Sequence, residues 1–175
     1  GALKLVASDL TNGKIVVLPD DLKHYGIDGR TFPIASALRM SCGLPFFFEP
    51  MYLRSGKRES VIVDGGVLSN FPLWIYDNGP KVRPVLGMKL SSKNKEMSPN
   101  EIDNALQLFE ALFSTMKNAH DNRYIARRHE KDIIFIPVEK YNATQFDIDE
   151  DTKQQLISIG RERASQFLKT WSPVW

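Results

Sequence analysis

The chain has 175 residues, 42% of them hydrophobic and 25% charged, which excludes a chain too polar to build a core. A formal net charge of +2 is too mild to imply nucleic-acid binding. Cys42 is the sole cysteine, so no disulfide closes within the chain, and a reducing, cytoplasmic setting is expected. No apolar run approaches the ~18 residues of a membrane span. Gly1-Ala2 opens the chain without a methionine, which fits either an added scar or a cut in a longer protein.

In chain order, Leu3 to Ser8 and Lys14 to Leu18 are β-prone runs joined by Asp9-Leu10-Thr11-Asn12-Gly13. Asn-Gly between such runs predicts a hairpin. Pro19-Asp20-Asp21 opens a polar stretch, and Tyr25-Gly26-Ile27-Asp28-Gly29 is loop chemistry. Pro33 to Ser41 predicts a short helix. Pro33 suits its first turn, Gly43 and Pro45 stop it, and Ile34, Ala37, Leu38 and Ser41 share one face. Phe46 to Leu53 is expected to be extended, with Arg54 to Arg58 as a charged turn. Three successive phenylalanines, Phe46 to Phe48, cannot all point one way along a strand. Core placement is expected for all three, with one of them a weaker candidate for an acyl pocket.

Ser60 to Asp64 reads as a buried strand that stops at Gly65-Gly66, and Pro84 to Leu90 as another strand before a polar linker from Ser91 to Asn100. Ile102, Ala105, Leu106, Phe109, Leu112, Phe113, Met116 and Ala119 recur at helical spacing and predict a long amphipathic helix. Ile133 to Val138 is a short apolar strand. Asp151 is expected to cap a final helix over about 150–171, lined by Leu156, Ile157, Gly160, Ala164, Phe167, Leu168 and Trp171. The order of elements predicts an α/β layer fold with a sheet covered on both faces. Residues 1–175 read as a single region, without internal repeats.

The passage Val61-Ile62-Val63-Asp64-Gly65-Gly66 carries the most chemistry. An apolar strand that ends on a carboxylate and two glycines sets that carboxylate at a sheet rim, where sites form in α/β proteins. The glycines allow a tight turn and the close approach of another backbone. A strand ending in Asp-Gly is also an ordinary turn, so spacing alone does not decide between the two.

The neighbouring residues add to this. Ser36-Ala37-Leu38-Arg39-Met40-Ser41-Cys42-Gly43-Leu44-Pro45-Phe46-Phe47-Phe48-Glu49-Pro50 precedes the strand, and Ser69-Asn70-Phe71-Pro72 follows the glycines. This succession resembles the second half of the patatin-like phospholipase domain. Met40 and Gly43 depart slightly from the pattern, and Phe146-Asp147-Ile148 before the last helix fits it.

The resemblance implies a layered α/β/α fold whose N-terminal strands and nucleophile elbow lie outside this chain. It implies a Ser-Asp dyad acting on lipid or phospholipid esters, with Asp64 as the catalytic aspartate and Gly65 and Gly66 as the turn supporting it. No cofactor and no metal are implied. The implied partners are the lipid substrate, the upstream half of the same domain and a peripheral membrane surface. An alcohol needs a positioned base to become a nucleophile, and a base as weak as a carboxylate leaves much of the work to an oxyanion hole.

No Gly-x-Ser-x-Gly elbow occurs in the chain. Ser41 lies nearest to such a pattern, but Arg39 stands where its first glycine belongs and would crowd an elbow, so Ser41 is rejected. His24, His120 and His129 lack metal spacing. Asp147-Ile148-Asp149-Glu150-Asp151 imitates the start of a calcium loop. Thr152 replaces its glycine and Ser158 its bidentate glutamate, which leaves a helix cap. Arg123, Arg127, Arg128, His129 and Lys131 fit a solvated helix end better than an anionic headgroup site. The competing functional class is a non-catalytic half-domain that serves as a binding module.

Overall fold

The computed structural model describes residues 3–76, 84–91, 102–115 (apart from 106, 110, 113 and 114), 130–138 and 145–172. The chain combines sheets and helices in a mixed α/β fold and divides into two compact units. One holds residues 1–72 and 102–124, the other residues 73–101 and 125–175.

The first unit is built on a four-stranded sheet of order β2-β1-β4-β3, with β1 at Leu5–Asp9, β2 at Lys14–Leu18, β3 at Met51–Ser55 and β4 at Arg58–Asp64. Every neighbouring pair is antiparallel. The Asn-Gly hairpin forms, with Asp9 opposite Lys14 and a four-residue loop between them. That loop is stitched to β4, because the Leu10 amide donates to the Val61 carbonyl and the Val61 amide donates to Thr11 Oγ1, both at 2.9 Å.

One face of the sheet presents Ala7, Val16, Leu18, Leu53 and Ile62. Leu22 and Tyr25, from a 3-10 turn at Asp20–Tyr25, and Ala37 and Met40, from helix α1 at Ile34–Ser41, complete this core. Burying each large aliphatic side chain contributes about 1.5–3 kcal/mol.

Several sequence expectations are corrected in this unit. Helix α1 turns Ala37 and Met40 inward, while Ile34 is 63% exposed and Leu38 is also exposed. The stripe through Ile34, Leu38 and Ser41 is therefore not the core face. Of the one face named from the sequence only Ala37 is buried, and the neighbouring sheet selects the stripe through Ala37 and Met40. Phe46 to Phe48 are not extended: the Phe47 and Phe48 amides both donate to the Leu44 carbonyl, and Phe46 has a left-handed φ of 70°. All three phenylalanines are exposed rather than core, and Phe46 meets Phe109 edge-to-face at 4.3 Å between centroids. The sheet is antiparallel, because short hairpins rather than crossover helices link two of its three pairs. Of the predicted long helix, positions 105, 107–109, 111, 112 and 115 are helical, Ile102 at its expected start is not, and the rest lies outside the described residues.

In the second unit, β5 (Gly87–Ser91) and β6 (Ile133–Pro137) form a parallel pair in which Met88 faces Ile134. Helix α2 (Glu150–Leu168) packs against β6. Its cap is Asp149, whose carboxylate accepts the Thr152 amide at 2.7 Å, and not Asp151, which lies inside the first turn. Capping holds the Asp149 carboxyl below the usual carboxylate range, chiefly through the Thr152 hydrogen bond. Ile157 and Leu168 are exposed, while Leu156, Gly160, Ala164, Phe167 and Trp171 are half-buried. The Trp171 indole N–H donates to Asp132 at 3.0 Å, tying the end of the chain's last helix to the turn before β6. The linker at 92–100 and the basic residues Arg123, Arg127, Arg128 and His129 lie outside the described residues.

The assignment of the buried stripe of α1 is open to a direct test. Met40→Ala should destabilise the protein by about 2–5 kcal/mol, the usual cost of a large core truncation. Ile34→Ala should stay within about 0.5 kcal/mol of the parent, as expected at an exposed position. Chemical denaturation of the two variants checks both, and equal losses would restore the stripe read from the sequence.

Candidate functional site

Strand β4 lies between β1 and β3, and its last residue is Asp64. Three neighbours fix that residue. Asp64 stands opposite Ala7 of β1, its amide donates to the Gly43 carbonyl just beyond α1 at 3.0 Å, and its Oδ1 accepts the Gly66 amide at 2.6 Å. The carboxylate thereby caps a one-turn 3-10 helix at Gly65–Val67 and stays half-buried. A charge-assisted bond from a backbone N–H holds a carboxylate in one rotamer better than a flexible side-chain donor does.

Neither glycine of the turn has a positive φ; among the described residues the glycines that do are Gly13, Gly26 and Gly56. Space, rather than backbone conformation, excludes side chains here. A Cβ on Gly65 would sit 2.2 Å from the Val6 carbonyl oxygen. A Cβ on Gly66 would sit 2.9 Å from Asp64 Oδ1 and 3.2 Å from Asn70 Oδ1. Gly65 is also anchored through its carbonyl, which accepts the Ser69 amide at 2.9 Å and the Leu68 amide at 3.2 Å.

A second polar constellation escaped the sequence reading. Asp9 is fully buried at the end of β1. Its carboxylate accepts the Asn12 backbone amide at 3.0 Å, the Asn12 side-chain amide at 2.6 Å and the Tyr25 hydroxyl at 2.7 Å. The Asn12 side chain also donates to Ser60 Oγ at 3.0 Å. Burial alone would raise the Asp9 pKa, but the bonds from Asn12, Tyr25 and Ser60 outweigh it and hold the carboxyl below its ordinary range. Burial, and then the bond to Asp9, push the Tyr25 phenol far above its usual value, so it stays a donor. Asp9 and Asn12 were visible in the sequence only as turn residues, and nothing local marks Tyr25 or Ser60 as their partners. The network joins β1, its hairpin loop, the 3-10 turn and β4. Its role is to hold the sheet together.

Other candidates fall away from Asp64 chemistry. Ser41 is the last residue of α1, so no strand-to-helix elbow surrounds it. His24 is on the surface, 3.6 Å from Asp21, and His120 and His129 lie outside the described residues. Among the described residues, no three His, Cys, Asp or Glu side chains converge as a metal site, and no helix is long and apolar enough to cross a membrane.

Residues 3–77 match the family model of patatin-like phospholipases. This segment takes in the whole four-stranded sheet, α1, Asp64, both glycines and Asn70. A relative from Bacillus subtilis (strain 168), described as "Uncharacterized protein YqhO", is 50% identical over 172 residues. The alignment covers 98% of this chain and 59% of that protein, so the chain spans about three-fifths of its relative's length.

Two predictions follow from these contacts. Gly65→Ala, driven against backbone, should cost on the order of 1–3 kcal/mol or more in strain. Gly66→Ala presses only on side chains, so it should cost less stability while still displacing the Asp64 carboxylate. Thermal unfolding ranks the two, and a Gly66→Ala loss equal to that of Gly65→Ala would contradict the geometry. For Asp9, a depressed folded-state pKa gives stability that is complete above the unfolded value near ~3.9 and lost as pH falls through the folded value. Asp9→Asn should therefore destabilise the fold at neutral pH by about 1–3 kcal/mol, with the deficit shrinking at low pH. Denaturant titrations at neutral and acid pH measure that change, and a deficit independent of pH would refute it.

Proposed function

We propose that this chain is the aspartate-bearing part of a patatin-like lipid acyl hydrolase of the phospholipase A or esterase type, with the nucleophilic serine supplied by sequence outside it. The observation that carries this reading is the setting of Asp64. It ends a central strand, its carboxylate is oriented by a backbone N–H, and the turn beyond it has no room for side chains. All of this lies within the patatin-like segment. The fraction of the Bacillus subtilis relative that the chain leaves uncovered gives ample sequence for an elbow and an oxyanion loop.

In this mechanism the serine Oγ attacks the ester carbonyl carbon and Asp64 accepts the hydroxyl proton. The tetrahedral intermediate collapses as the C–O bond to the alcohol breaks, and the Asp64 proton passes to that leaving oxygen. Water then attacks the acyl-serine and gives its proton to Asp64. The serine regains a proton as the fatty acid departs. The dyad needs no cofactor and no calcium. Backbone orientation of the carboxylate matters because proton transfer requires approach to within hydrogen-bond distance. The cytoplasmic setting inferred from the lone cysteine belongs to this proposal as well.

The test uses the full-length parent protein. Asp64→Asn keeps the shape and removes the proton acceptor, so turnover of a short-chain aryl ester and of a phospholipid should fall by about 10²–10⁴-fold. Thermal stability should change little. The 175-residue chain alone should show no turnover. Near-parental rates in a folded Asp64→Asn protein would overturn the assignment, and esterase activity of the isolated chain that survives Ser41→Ala would place the chemistry elsewhere.

A further inference from the structure

We propose that the edge of β5 away from β6 is a docking surface for the part of the full-length protein that lies outside this chain. A strand from that part pairs with Gly87–Ser91 and covers Met88 and Leu90. This rests on the reading above that the domain continues outside the chain, and it does not depend on the role given to Asp64.

β5 and β6 run parallel, with Met88 facing Ile134 and Leu90 facing Ile136. Parallel ladders occur almost only within sheets covered on both faces, and two strands by themselves are marginal in water. Among the described residues β5 pairs with β6 alone, so no described strand occupies its second edge. An edge of this kind is a template for a further strand.

Burial shows on which side the ladder is incomplete. Ile133 and Ile134 of β6 are each 2% exposed, whereas Met88 and Leu90 of β5 are 62% and 65% exposed. Residues two apart on a strand share a face, and the register sets Met88 and Leu90 on the face of Ile134. Cover over that face reaches Ile134 and stops short of β5. The missing apolar neighbours therefore belong on the β5 side of the ladder, not beyond β6.

The occupant is given by what remains of the polypeptide. The alignment leaves about two-fifths of the Bacillus subtilis relative uncovered, far more than the ~5–6 residues of a typical strand. A segment of the same polypeptide is held at high effective concentration and needs no separate encounter, which favours it over a second copy or another protein.

The experiment uses the full-length parent protein with its methionines replaced by a photoactivatable diazirine analogue. After illumination and digestion, the peptide carrying Met88 should be joined to a peptide from outside these 175 residues. Joining only to peptides within them, joining to a second copy, or quenching by solvent alone would each overturn the proposal. Leu90→Ala and Leu90→Asp in the same protein supply a second readout. Both should lower Tm by about 5 °C or more, as truncation or charging of a covered leucine does. A Tm within about 2 °C of the parent in both would show that Leu90 stays in water, and would overturn the proposal as well. Neither readout involves turnover, so full activity in Asp64→Asn would overturn the base assignment and leave this docking surface standing.

Discussion

The carbonyl oxygen of Val6 and the α-carbon of Gly65 come so close that no side chain fits between them. Much of the first unit depends on that approach. It belongs to the seam between β1 and β4, where Ala7 faces Asp64, Ser8 faces Val63 and Asp9 faces Ile62. A slip of one residue along the seam would turn Ile62 away from the core and drive Gly65 out of its niche. The seam also gives the carboxylate its address, because Asp64 has its place only when β4 ends level with Ala7. At the other end of the seam the Asp9 network fastens the hairpin loop to Ser60, so both ends are held by polar contacts and the middle by apolar ones.

The two kinds of contact do different work. Apolar burial is large but forgiving of small shifts, and gives the sheet its adhesion. The hydrogen bonds at Asp9 and Asp64 add less net free energy, yet each buried acceptor is costly to leave unmatched. They therefore determine which of several similarly adhesive registers survives. Both aspartates end strands, and both accept a backbone amide a few residues ahead. Asp9 lies fully out of solvent among donors, and Asp64 remains half-buried at the rim. That difference in exposure sets the two apart: one carboxylate is closed off from solvent and the other can be reached from it.

Much of this was legible in the sequence, in proportion to how local the cause is. Asn12-Gly13 announced its hairpin, Pro33 and Gly43 bracketed α1, and the run into Asp64-Gly65-Gly66 announced a strand and its stop. What escaped depended on partners distant in sequence. The buried face of α1 is chosen by a sheet that periodicity does not see, so Met40 was passed over for Ile34. The phenylalanines after Pro45 looked like core because they are apolar, although the chain turns there and holds them outward. Antiparallel pairing followed from tight hairpins, while the apolar strands had suggested only a sheet covered on both faces. In the Asp-Gly-Gly turn the close approach of another backbone could be read, but not which one, since only the folded chain shows Val6 overhead.

The connectivity of the sheet also bears on how it assembles. β1 with β2, and β3 with β4, are neighbours in sequence and close as short-range hairpins, which form quickly. The β1–β4 seam joins residues more than fifty positions apart, so its chain-closure entropy must be met before its contacts reward it. Two preformed hairpins meeting along one late edge is the assembly order this topology favours. The aspartate lies on that edge, so no fragment containing only one hairpin would present it correctly, and a partly folded chain would hold both strands yet have no site.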